Sequence, residues 1–140
     1  MELTKQVVSL AQAKRLKELG VVQESLFCWL ENSASRFELM SIENAFEHHI
    51  HDYEFSIHPD GFDESFKEQS WSAFTVAELI QALGSVEIEL DGQRWYAISK
   101  ECSPSASSLP WCLAQLLIYR IENNLTTPEE VNNRLTAKDQ

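Results

Sequence analysis

Val86-Glu87-Ile88-Glu89-Leu90-Asp91-Gly92-Gln93-Arg94-Trp95-Tyr96-Ala97-Ile98 is the stretch that decides the fold. Polar and apolar residues alternate before Asp91-Gly92, the dipeptide favoured in type I′ hairpin turns. With Asp91-Gly92 as a two-residue loop, Ile88 faces Trp95, Val86 faces Ala97 and Glu89 faces Arg94. One face of the hairpin, with Val86, Ile88, Trp95 and Ala97, is then suited to a core. The other carries Glu87, Glu89 and Arg94 and is suited to water.

A hairpin with one apolar face needs a second layer to cover it. Trp111 to Ile121 supplies that layer, being apolar at nearly every position except Gln115 and Arg120. A helix that is apolar all round is a buried helix. Pro110 suits its first turn, and Asn123-Asn124 ends it. The expectation is an α+β fold in which the hairpin packs on this helix through Ile88 and Trp95.

The remaining elements follow from caps and spacing. Ser9-Leu10-Ala11-Gln12 is a capping box ahead of a stripe of Leu10, Ala13, Leu16 and Leu19, and Gly20 supplies the stop. Ser25–Leu30 and Phe37–Met40 read as two strands joined by the turn Asn32–Ser35, a second hairpin. Ile42 to about Ile50 fits a helical face, followed by a short strand near Tyr53–Ile57 and the turn Pro59-Asp60-Gly61. Phe62 to Ser72 is expected as loop. Thr75-Val76-Ala77-Glu78 is a second capping box, opening a helix over Val76–Leu83 that Gly84 closes. Ser103–Ser108 reads as a linker, and Thr127-Pro128-Glu129-Glu130 starts a last short helix held by Val131 and Leu135. No repeat or boundary divides the 140 residues, so a single domain over 1–140 is expected.

Composition narrows the function classes. The net charge is −11, and it is unevenly spread. Glu43, Glu47, Asp52, Glu54, Asp60, Asp63, Glu64 and Glu68 fall within one segment whose only base is Lys67. Such a field repels nucleic acid and anionic membrane and attracts basic partners. No apolar run approaches the ~20 residues that span a bilayer, and no signal-type stretch follows Met1. A cytoplasmic location is expected.

Nucleotide-loop chemistry has no support, because the four glycines form neither G-x-G-x-x-G nor a P-loop. Cys28, Cys102 and Cys112 are odd in number and form no C-x-x-C pair, so neither a disulfide framework nor a zinc ribbon is expected. Cys28 and Cys112 sit in apolar runs and read as buried thiols. Cys112 lies near a helix start, the setting that can favour a thiolate. No nucleophile-elbow sequence is present. The constellation with most chemical potential is Glu47-His48-His49-Ile50-His51-Asp52, in which His49 and His51, with His58, could converge on a metal ion. Trp29, Trp95 and Trp111 fall on expected core faces. Trp71 stands among Gln69, Ser70 and Ser72 and is either tucked over the core edge or part of a binding patch.

Three stretches carry a resemblance. Ala13-Lys14-Arg15-Leu16-Lys17-Glu18-Leu19-Gly20 leading to Phe27-Cys28-Trp29 resembles the opening of small phage and prophage proteins of Bacteroidetes. Ser72-Ala73-Phe74-Thr75-Val76-Ala77-Glu78-Leu79 is similar to their S-A-P-T-x-A-E-L segment, with Phe74 where many of them have Pro. Ala114–Asn123 is similar to their C-terminal helix. The resemblance covers under half of the chain. It implies a mobile-element setting and a shared α+β architecture, and it transfers no catalytic residue.

The expectation for function is therefore a non-enzymatic interaction protein of a mobile element, with no cofactor. It would present Glu43, Glu47, Asp52, Glu54, Asp60, Asp63, Glu64 and Trp71 to a basic partner protein, itself a possible nucleic-acid binder. Two alternatives belong to other classes: a metal-dependent enzyme built on His48–His51, and an assembly component that homo-oligomerises.

Overall fold

The computed structural model describes residues 3–31, 34–45 and 68–136. Its elements are a 3-10 turn at Leu3–Lys5, α1 (Leu10–Glu18), β1 (Phe27–Glu31), β2 (Phe37–Ser41), β3 (Ser70–Ser72) and α2 (Val76–Leu83). They continue with β4 (Glu87–Asp91), β5 (Arg94–Ile98), β6 (Ser105–Ala106), α3 (Leu109–Glu122) and α4 (Pro128–Thr136). The fold is α+β, with two small antiparallel sheets ordered β2-β1-β3 and β4-β5-β6.

The centre is α3. Ser108 caps it by accepting from the Trp111 N–H, and Pro110 sits in its first turn, where a missing N–H costs nothing. Cys112, Leu113, Ala114, Leu116, Leu117, Ile118 and Ile121 are all buried along it, as expected of a helix apolar on nearly every side. Around it gather Val8, Ala13 and Leu16 from the N-terminal part, Phe74, Leu79 and Leu83 from the α2 region, Ala97 from β5 and Val131 from α4. Trp111 departs from the expected core role. It lies in the first turn of α3, beyond the reach of these partners, and is 37% exposed.

Both capping boxes form as read. Ser9 Oγ accepts from the Gln12 N–H while Gln12 Oε1 accepts from the Ser9 N–H, and Thr75 and Glu78 do the same for α2. Gly20 ends α1 at φ +95°, a value that side-chain-bearing residues rarely adopt. α3 closes when the Leu125 and Thr126 N–H groups both donate to Arg120 O, with Asn124 left-handed at φ +59°. The C-terminus of α2 takes two guanidiniums: Arg134 Nη1 donates to Ala82 O at 2.8 Å, and Arg120 Nη1 reaches Leu83 O at 3.5 Å. A cation there satisfies free carbonyls and opposes the negative end of the helix dipole.

In the first sheet β1 is central, pairing Trp29 with Leu39 on β2 and with Trp71 on β3. The expected β1–β2 hairpin is present. Of the helix expected from Ile42, residues 42–45 are helical, and the rest of that expectation lies outside the described residues. The segment expected as loop before α2 contributes β3. Three residues carry too little alternation to announce a strand, and β3 exists because β1 offers it an unpaired edge.

The 86–98 hairpin forms with its turn one residue later than read. Asp91 pairs with Arg94, Leu90 with Trp95 and Ile88 with Ala97, so the loop is Gly92-Gln93. Only Gly92 has positive φ (+64°), the pattern of a II′ turn with glycine first. Moving a two-residue loop by one position changes the pairing by two. Each side chain therefore keeps its face and changes only its partner. Glu89 consequently faces Tyr96 and not Arg94, whose guanidinium donates to Ser105 Oγ and Ser105 O. The packing expectation for Ile88 is corrected. Helix α3 lies under β5 and β6, where Ala97 is fully buried, and β4 overhangs it, leaving Ile88 37% and Leu90 51% exposed. The linker before α3 likewise gives up Ser105-Ala106 to a short strand on the inner side of β5.

Candidate functional site

Of the residues expected to meet a partner, the structure describes two. Glu43 is exposed on the helical residues 42–45. Trp71 is on β3. Glu47, Asp52, Glu54, Asp60, Asp63 and Glu64, with His49, His51 and His58, lie outside the described residues. Among the described residues no group of His, Cys, Asp and Glu is placed to hold a metal ion.

Trp71 is tucked and not free. β1 holds it beside Trp29, whose indole Nε1 donates to Val8 O at 3.1 Å. Its ring lies 5.7 Å from that of Phe37, centroid to centroid. α1 then lays its polar face over the pair. Lys14 Nζ sits 4.3 Å from the Phe37 centroid and 4.9 Å from that of Trp71, and Lys17 Nζ is 5.4 Å from Trp71. Lys17 Nζ also donates to Ser70 O at 2.8 Å. Partial burial holds the Lys17 amine below its usual basicity, against the opposing pull of the Glu68 carboxylate. Lys14 and Lys17 are thus drawn onto aromatic faces, an arrangement worth about 0.5–1 kcal/mol per contact near a surface. An open hollow of about 520 Å³ lies over them, bounded also by Glu18 and Glu68.

The second feature is a cleft of about 580 Å³ walled by Leu3, Phe27, Trp95 and Leu109, with the starts of α2 and α3 at its rim. Its walls are mainly apolar. No buried polar side chain lining it lacks a partner: the one such atom among the described residues is Gln69 Oε1, beside Trp71 on the first sheet.

The third feature is β4. Glu87, Glu89 and Asp91 are exposed, and among the described residues none is ion-paired. The sequence supplied these carboxylates but not their isolation, because the reading that paired Glu89 with Arg94 rested on a loop one residue too early.

Nucleophilic chemistry loses its cysteine candidates. Burial pushes the Cys28 thiol up to about 11, and burial likewise raises Cys112 and Cys102. Cys112 also donates its S–H to Trp95 O at 3.4 Å, so its place in the first turns of α3 serves packing and not thiolate formation. Among the described residues no helix is long and apolar enough to cross a membrane. No family model, curated protein or solved structure matches the chain.

Proposed function

We propose that this chain is a non-enzymatic interaction protein that presents an acidic surface to a basic partner protein. The observation that carries the reading is the charge distribution. Eight acids share the 43–68 segment of the sequence with one base, and the three carboxylates of β4 are exposed with no ion-pair partner among the described residues. A fold selected for stability alone would intersperse the signs, because like charges repel one another in the compact state. Lys14 and Lys17, held over Trp71 and Phe37, are already counted in the net charge of −11. The mobile-element setting rests on the resemblance of three segments.

Association should be fast at low salt and slow steeply as the Debye length falls from about 10 Å at 0.1 M to about 3 Å at 1 M. The test is capture from cell lysate at those two salt concentrations, with the full chain and with an Asp60→Asn, Asp63→Asn, Glu64→Gln variant. Capture that is lost at high salt and weakened in the variant supports the reading. A partner retained equally at both salts, and by the variant, overturns it.

A further inference from the structure

Strand β4 ends its sheet, and among the described residues nothing pairs with its outer backbone edge. On the inner side, the Ala97 N–H donates away from β4, to Pro104 O at 3.0 Å, and Trp95 O is met from that side by Cys112 Sγ at 3.4 Å. Ala97 and Trp95 therefore form the non-hydrogen-bonded pairs of the hairpin, opposite Ile88 and Leu90. By the same alternation, Ile88 and Leu90 direct their own N–H and C=O groups outward. No described residue pairs with them.

Natural sheets blunt such an edge with charged side chains, proline, a bulge or a covering element. Among the described residues β4 has no proline, bulge or cover, and its charged side chains, all acidic, oppose a second acidic strand but not a basic one. It is five residues long and regularly paired, and every residue in it is exposed. Its two faces differ in chemistry. Ile88 and Leu90 form an exposed apolar stripe on one, and Glu87, Glu89 and Asp91 form a row of carboxylates on the other.

We infer that the β4 edge accepts an extended segment of a basic partner as a fourth strand. Alternate residues of that segment are Lys or Arg over Glu87, Glu89 and Asp91, and apolar over Ile88 and Leu90. The inference rests on the proposed function and adds to it the place of contact and the backbone form of the partner. Charge complementarity selects the occupant. A second copy of β4 pairing antiparallel about Glu89 sets Glu89 against its twin and Glu87 against Asp91. Any register that keeps apolar beside apolar moves by two residues and again sets acid against acid, at the short cross-strand distance where like charges destabilise. A strand of alternating basic and apolar residues meets the same edge with its charges paired and its backbone groups satisfied.

The probe is the synthetic peptide Lys-Val-Lys-Val-Lys-Val-Lys, against a control of the same composition with its valines in one block. Amide hydrogen exchange by NMR reads the contact. The alternating peptide should slow exchange at Ile88 and Leu90, and the control should not. Leu90→Pro removes an outward N–H that the hairpin does not use and should weaken binding about tenfold, the worth of one hydrogen bond at a sheet edge. Glu87→Lys with Glu89→Lys leaves the edge intact; it should reject this peptide and accept one with Glu in place of Lys.

Equal binding of both peptides, or protection confined to other amides, overturns the assignment. So does a dimer in sedimentation that Leu90→Pro dissociates, which would make the occupant a second copy. If the peptide leaves Ile88 and Leu90 unprotected while salt-sensitive capture from lysate persists, the β4 assignment alone falls. If that capture is itself insensitive to salt, the underlying reading falls too.

Discussion

Gln12 is 4% exposed, and its amide is used at both ends. Nε2 donates to Trp111 O at 3.0 Å and to Gln115 Oε1 at 2.9 Å, while Oε1 accepts from the Ser9 N–H at 3.4 Å. One side chain thus closes the cap of α1 and fastens α1 to α3. Gln12→Met keeps the length, volume and helix propensity of the residue and removes all three interactions. A neutral hydrogen bond contributes about 1 kcal/mol net, and the long bond to Ser9 less. Gln115 is only half-buried and can turn its amide oxygen to water, which limits the penalty, and the Met side chain recovers some apolar burial. The net expectation is a loss of about 1–2 kcal/mol. With a urea m-value of about 2 kcal/mol/M, the unfolding midpoint should fall by about 0.5–1 M at unchanged m. A double-mutant cycle with Gln115→Met should show coupling of at least about 0.5 kcal/mol. An unchanged or raised midpoint would refute the reasoning and leave the attachment of α1 to α3 to Ala13, Leu16 and the Arg15–Glu122 pair.

The same deletion should behave differently at two leucines: Leu116→Ala, fully buried on α3, should cost about 3–5 kcal/mol, and Leu90→Ala, half-exposed on β4, under about 1 kcal/mol, by urea unfolding. Arg134→Met should cost about 1–2 kcal/mol by uncapping Ala82 O at the end of α2, with the loss read as faster amide exchange in Gln81–Ser85. In thiol titration with Ellman's reagent, Cys102 alone should react in the native protein, slowly, and all three cysteines in denaturant. Because Cys28 ionises near 11 in the folded state against 9.0 unfolded, its contribution to stability is complete below pH 9 and is lost as pH rises towards 11. Cys28→Ala should flatten that decline in Tm, and an unchanged profile would remove Cys28 as its source.

The acidic surplus could be counted directly, so the general character of the proposed surface was legible from residues alone. Its most specific part was not. Whether Ile88 and Leu90 are covered depends on which strand of the hairpin α3 lies beneath, and β4 and β5 carry the same alternating pattern. Trp71 shows the same division. Its neighbours in the chain are polar, yet its neighbours in space are Phe37, Lys14 and Lys17, brought together by two strands and a helix distant in sequence.

What the sequence by itself determined is whatever depends on residues within a turn or two of one another. The capping boxes at Ser9 and Thr75, the stop at Gly20, the Asn123-Asn124 end of α3 and that helix's burial all belong here, because a cap or a periodic stripe is satisfied locally. What only the tertiary structure decided is long-range pairing and the side each element covers. Ser70–Ser72 and Ser105–Ala106 become strands because β1 and β5 offer them open edges, not through any pattern of their own. The turn settles on Gly92-Gln93 and not Asp91-Gly92, and local rules scarcely separate the two, because both registers keep every side chain on the same face. β4 remains an open edge because β6 takes the other side of β5 and no described residue takes its own.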